Sequence, residues 1–126
     1  MVKVFVYGTL KRGYGNNRLL SSSKFISEAV TKDNYVLRNC GFPYLILDKG
    51  EEARPVLGEI YEVDKETLQS LDWLEGVPNH YQRINIQVEG DKTYNVFAYA
   101  VERNESRLPL CPAKKYNGRE VYEWSR

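Results

Sequence analysis

Glu75 is the most suggestive carboxylate in this chain. It ends a run in which Leu68, Leu71 and Leu74 recur every three residues, and it immediately precedes Gly76. The C-terminus of a helix carries partial negative charge, which disfavours a second negative charge there. If the site is also desolvated, the carboxyl pKa rises toward the range useful for general acid–base work. On local pattern alone, the plainer reading is a solvated terminal Glu. The second candidate is backbone rather than side chain. Gly8-Thr9-Leu10-Lys11-Arg12-Gly13 follows an apolar run but has neither the GxxxxGK(S/T) nor the GxGxxG pattern of a phosphate loop. A Gly-rich turn after a buried strand can still expose several N–H groups as a cradle for an anion, including a carboxylate. The plainer reading is a strand-to-loop turn.

Other chemistries find less support. His80 is the only histidine, so Ser/His/Asp or Cys/His machinery would have to use it. No GxSxG elbow is present, and neither Cys40 nor Cys111 sits in a motif. There is no CxxC, no second His and no ligand spacing for a metal. His80, beside Pro78-Asn79, reads as a solvated loop residue. The two cysteines read as reduced thiols in a core or loop. Lys11, Arg12 and Arg18 read as a solvated basic face, the alternative being an electrostatic contribution to binding an acidic small molecule.

The elements that must position these groups are short. Val2-Lys3-Val4-Phe5-Val6-Tyr7 is a strand by composition, and a short helix is expected around Arg18 to Ser22. The segment from Lys24 to Leu37 reads as two strands joined at Thr31-Lys32-Asp33-Asn34. Cys40-Gly41-Phe42-Pro43 is a turn, Tyr44 to Leu47 a strand, and Asp48-Lys49-Gly50-Glu51-Glu52 a polar hairpin-type connection. Val56 to Val63 is a strand interrupted by Glu59 and Glu62. Asp64 stands where a helix N-cap belongs, and Gly76 and Pro78 end that helix. Tyr81 to Val88 alternates as a half-buried strand, Glu89 to Lys92 is a turn, and Tyr94 to Val101 is the partner strand. The tail from about residue 104 is charged and, with Pro109 and Pro112 nearby, reads as irregular. About six short strands and one or two helices, without regular strand–helix alternation, argue against a doubly wound parallel sheet. They predict an α+β fold: a small curved sheet or mixed β-barrel with helices packed against it.

Composition bounds the rest. The chain has 126 residues, and 18 Lys plus Arg against 17 Asp plus Glu give a net charge of +1. One domain spanning residues 1–126 is the expectation. The charge balance argues against nucleic-acid binding, which needs an excess of cations for phosphate neutralisation. Ten Tyr, four Phe and two Trp are enough to build a core, so disorder is not expected for most of the chain. The densest apolar runs are only strand length, too short to span a membrane, and the N-terminus has no secretory pattern. A soluble, cytoplasmic protein is expected. The residues carry no signal for an oligomeric state.

Three segments in order carry a family resemblance. Val4 to Gly13 resembles the Tyr-Gly-Ser/Thr-Leu opening of the γ-glutamylcyclotransferase-like proteins. Gly58-Glu59-Ile60-Tyr61-Glu62-Val63-Asp64 resembles their central strand. Leu71-Asp72-Trp73-Leu74-Glu75-Gly76, with Pro78 and Tyr81-Gln82-Arg83, resembles the segment that carries their catalytic Glu. The YGTLKRG opening and the YQR ending are most similar to the γ-glutamylaminecyclotransferase branch. The resemblance runs from about Val2 to Val88, with little to match after Val101. It implies a barrel with a pocket at one end and release of 5-oxoproline from a γ-glutamyl compound without cofactor or metal. It implies that Tyr7, Gly8, Thr9 and Leu10 bind the glutamyl moiety largely through backbone groups, that Glu75 is the acid/base, and that Tyr81 lies nearby in the pocket. Pro43-Tyr44 matches a pocket-lining loop more distantly. Tyr116 and Tyr122 are candidates to reach the pocket from the tail.

The leading expectation is a cofactor-independent cyclotransferase that releases a free amine from a γ-glutamyl amine. The alternatives are the same reaction on γ-glutamyl amino acids or a specialised γ-glutamyl metabolite, and a small-molecule binding module without catalysis.

Overall fold

Val2–Val6 forms strand β1, as its β-branched and aromatic residues predict. A computed structural model describes residues 1–47, 50–102 and 107–125. A short 3₁₀ helix, Gly15–Leu20, follows β1 in place of the helix expected around Arg18 to Ser22. The remaining elements are β2 (Lys24–Thr31), β3 (Val36–Asn39), β4 (Pro43–Ile46), β5 (Leu57–Val63), α1 (Lys65–Glu75), β6 (Gln82–Glu89), β7 (Thr93–Ala100), β8 (Ala113–Tyr116) and β9 (Arg119–Tyr122).

Five strands close into a barrel in the order β1-β5-β2-β6-β7. A ring of five cannot alternate direction all the way round, so one neighbouring pair must be parallel. That pair is β1 and β7, in register at Val4 and Phe97; every other pair in the ring is antiparallel. The mixed barrel was expected, but the six expected strands become five in the ring and four outside it. The segment from Lys24 to Leu37 does hold two strands, yet they do not pair with each other. β2 joins the barrel, whereas β3 pairs with β4 as a separate hairpin. The polar stretch from Asp48 to Glu52 therefore closes no hairpin with β5; Asp48 and Lys49 themselves lie outside the described residues.

Period-two alternation sorts the barrel side chains into two cores. Phe5 and Tyr7 pack with Ile60, Val96 and Ala98. Val4 and Val6 pack on the opposite face with Leu20 of the 3₁₀ helix and Leu71 of α1. Both faces of β1 are thus buried, which is why its sequence is nearly continuously apolar.

The tail corrects the sequence reading. Part of it lies outside the described residues, but β8 and β9 form an antiparallel hairpin whose turn holds Asn117 at φ +50° and Gly118 at φ +81°. Tyr122, at the end of β9, and Trp124 beyond it are buried in the first core, and Val56 bridges to Tyr122. No helix among the described residues is long and apolar enough to cross a membrane.

Candidate active site

The site is built where α1 ends. Asp64 Oδ1 accepts the Thr67 N–H at 2.7 Å and starts the helix. Gly76, at φ +66°, stops it. The Gly76 N–H donates to Trp73 O and the Val77 N–H to Asp72 O, each at 3.1 Å. This is the paired closure that a left-handed residue permits at a helix end. The chain then folds back on the helix. The His80 N–H reaches Gly76 O at 2.8 Å, and the Tyr81 N–H reaches Glu75 O at 3.2 Å. Backbone bonds therefore fasten Glu75 and Tyr81 together before either side chain is considered.

The facing wall is the turn after β1. A β-carbon on Gly8 would stand 2.6 Å from Pro43 Cγ, so this turn and the β3–β4 turn pack closer than any side chain allows. The 3₁₀ helix holds the turn from behind. Asn16 Nδ2 donates to Thr9 Oγ1 at 2.9 Å, and Asn17 Nδ2 to Leu10 O at 2.8 Å. Among the described residues, the N–H groups of Gly8, Thr9 and Leu10 have no intrachain acceptor.

Between these walls lies a pocket of about 240 Å³. Tyr7, Gly8, Thr9, Leu10, Glu75 and Tyr81, brought from the turn after β1 and from the end of α1, all line it. The floor is cross-braced. The Tyr81 hydroxyl donates to Pro43 O at 2.8 Å, the Tyr7 hydroxyl to Tyr99 O, and the Tyr99 hydroxyl to Asp72 Oδ1 at 2.7 Å.

Desolvation raises the Glu75 carboxyl from 4.5 to about 7. Of the two causes the sequence argument named, the helix end and desolvation, burial is the one found here. Burial also pushes the Tyr7 phenol well above its usual range, with Tyr81 and Glu75 adding to the effect. Tyr99 is raised by burial and then by its hydrogen bond to the Asp72 carboxylate. Both phenols therefore keep their protons near neutrality. Among the described residues, Glu75 is the one carboxylate lining the pocket. A carboxyl that is half ionised at pH 7 can both accept and return a proton.

Several sequence readings are corrected here. His80 is solvent-exposed but is not a bystander: it lines the pocket mouth, and its Nε2 lies 2.9 Å from the Tyr44 hydroxyl. The basic cluster is not one solvated face. Lys11 is only 8% exposed and its Nζ donates to Trp124 O at 2.7 Å. Arg12 pairs with Glu59 through both its N–H and its Nε, and Arg18 bonds Gly15 O. None of the three lines the pocket. Tyr116 and Tyr122 do not line it either; their hydroxyls bond Glu28 and Glu52 O. Leu74 ends at the pocket mouth rather than in the core. Phe5, Asn16, Phe42 and Tyr99 were missed altogether. Of these, Asn16 carried a signal, since an Asn pair directly after a Gly-rich turn is a natural source of side-chain bonds to that turn.

The family model described as "Gamma-glutamyl cyclotransferase, AIG2-like" matches residues 4–118, extending past the resemblance read near Val88 to take in β7 and β8. A Methanocaldococcus jannaschii protein is 37% identical over 100 residues, covering 79% of this chain and 82% of that protein. Gamma-glutamylaminecyclotransferase B of Danio rerio is 46% identical over 97 residues, covering 71% of this chain but 50% of its own length, so the chain spans about half of that relative. The crystal structure of an AIG2-like protein from Mus musculus superposes with a TM-score of 0.80 at 30% identity, covering 100% of this chain and 99% of that one. The chain belongs to the gamma-glutamyl cyclotransferase, AIG2-like family.

Proposed function

We propose that this chain is a cofactor-independent cyclotransferase that releases 5-oxoproline and a free amine from a γ-glutamyl amine. The observation that carries this reading is the Glu75 carboxyl, raised by burial to about 7, across a pocket from a turn in which, among the described residues, the N–H groups of Gly8, Thr9 and Leu10 have no intrachain acceptor.

A γ-glutamyl amide contains its own nucleophile. Its α-amino nitrogen closes a five-membered ring on the γ-carbonyl, so the protein has mainly to hold a reactive conformer. Glu75, as carboxylate, removes a proton from the α-ammonium. The freed nitrogen attacks the carbonyl carbon, a C–N bond forms, and the carbonyl oxygen becomes an oxyanion. The N–H groups of the Gly8–Leu10 turn are the donors assigned to that charge. Protonated Glu75 then delivers its proton to the amide nitrogen, the original C–N bond breaks, and the amine departs. The remaining extra proton on the ring nitrogen passes through the regenerated carboxylate to solvent. Tyr7, Thr9, Leu10 and Tyr81 bound the glutamyl half, and Tyr81 is kept in place by Pro43 O.

The test is 5-oxoproline release from a panel of γ-glutamyl amines, with Glu75→Gln run alongside. Release by the parent that falls by at least 100-fold in the variant is expected, because a positioned acid–base group contributes about 10²–10⁴-fold. Turnover within tenfold of the parent removes Glu75 from the mechanism.

A further inference from the structure

The pocket divides into a buried floor and an exposed mouth. Tyr7, Tyr81 and Tyr99 form the floor and are almost fully covered. The mouth is made by Phe42 and Leu74, each about two-fifths exposed (40%), and by His80. These three come from separate elements: the β3–β4 turn, the last turn of α1, and the loop that follows it.

Ring contacts connect the parts of the mouth. The Phe42 ring meets Tyr44 nearly perpendicularly at 5.6 Å between centroids, and meets His80 at 6.4 Å. The His80 ring lies 5.6 Å from Tyr44 and 4.8 Å from Tyr81, and the hydrogen bond between Tyr44 and His80 fixes its edge. Edge-to-face ring pairs of this kind are favourable beyond their buried area. Two large, partly exposed apolar side chains thus line the same opening, and ring contacts with Tyr44 and His80 already hold the Phe42 ring. Among the described residues lining the pocket there is no Lys, Arg or Asp, and the one charged group is Glu75.

We propose that Phe42, Leu74 and His80 form a leaving-group subsite that selects primary amines with an apolar aliphatic or aromatic stem. This rests on the cyclotransferase reading, because it assigns the mouth to the half of the substrate that departs. Apolar stems gain by covering Phe42 and Leu74. A departing α-amino acid would set a carboxylate one carbon from the scissile nitrogen. That carboxylate would exchange its hydration for the Phe42 and Leu74 side chains, beside the Glu75 carboxylate, with no Lys or Arg among the described residues lining the pocket and only the His80 ring at the mouth to bond it.

The experiment compares kcat/KM for γ-glutamyl-phenethylamide, γ-glutamyl-methylamide and γ-glutamyl-alanine in the parent, Phe42→Ala and Leu74→Ala. The parent is expected to prefer the phenethylamide by about tenfold or more over each of the others, on the order of the gain from burying part of a phenyl group. Each variant is expected to shrink the phenethyl-to-methyl ratio by several-fold. A parent that favours γ-glutamyl-alanine, or a ratio untouched by both substitutions, overturns the subsite and leaves the reaction standing. If no substrate is turned over, the reaction fails instead, and the subsite is decided by calorimetry on the same three compounds with Glu75→Gln. Tighter phenethylamide binding that weakens on adding Phe42→Ala upholds the subsite. Equal affinities for all three compounds overturn it.

Discussion

Replacing Glu75 with Gln should make the protein inactive and, in alkaline solution, more stable. The carboxyl sits at about 7 in the folded chain against 4.5 ordinarily. At about 1.4 kcal/mol per pH unit, ionised Glu75 costs the fold about 3 kcal/mol at pH 8. Solvent reaches one side of the half-buried residue, so this is an upper bound. The sign follows from the direction of the displacement. Because the folded-state value lies above the unfolded one, the stabilisation from protonating Glu75 is complete below about pH 4.5. It is lost as the pH rises through 7. Gln is neutral and of the same shape, so it keeps the low-pH stability at every pH. The variant and the parent should melt together near pH 4, and the variant should melt higher at pH 8. The gap there should be up to about 10 °C for a chain of this size. Turnover gives the independent half of the test. Parent kcat/KM should fall tenfold per pH unit below about 7, as the carboxylate that accepts the first proton is lost. Circular-dichroism melts at both pH values and a pH series of 5-oxoproline release are the assays. Identical melting at pH 8 refutes the desolvated carboxyl. A pH profile flat between 5 and 8 refutes its role as base even if the melts agree.

Gly8→Ala tests the contact between the two pocket turns. Its new methyl would meet the Pro43 ring at 2.6 and 2.8 Å, and a destabilisation of about 1–3 kcal/mol with a matching loss of turnover is expected; an unchanged denaturation midpoint contradicts the close approach. The two tryptophans make an internal control. Trp124→Ala, at a site 2% exposed, should cost about 3–5 kcal/mol. Trp73→Phe, at a site 88% exposed, should stay within about 0.5 kcal/mol in the same urea titration.

The parts of the site that local chemistry writes were legible in the sequence, and the parts that depend on ring closure were not. Asp64 and Gly76 bracket α1 by capping rules that operate within four residues, so the position of Glu75 at a helix end could be read directly. The turn from Tyr7 to Leu10 was marked by its glycine after an apolar run. His80 could not be read in this way, because its neighbour Tyr44 is 36 residues away and meets it only after β3 and β4 pair. The tail shows a different failure. Asn117-Gly118 is a strong two-residue hairpin signal, but the exposed, lysine-rich β8 and the nearby prolines masked it. The cost of that misreading falls on Trp124, which lies beyond the residues matched by the family model. Its indole Nε1–H donates to Asn39 Oδ1 at 3.1 Å, and the same oxygen accepts the Gly41 N–H at 3.0 Å, just before Phe42 and Pro43. Its ring packs on Tyr14 at 5.2 Å, and its carbonyl accepts Lys11 Nζ, just after Leu10. Both turns that shape the pocket are therefore tied to Trp124, one through its indole and the other through its backbone carbonyl, and Gly8 against Pro43 presses those turns together. A displacement of Trp124 would reach the floor and the mouth at once, although it does not line the pocket.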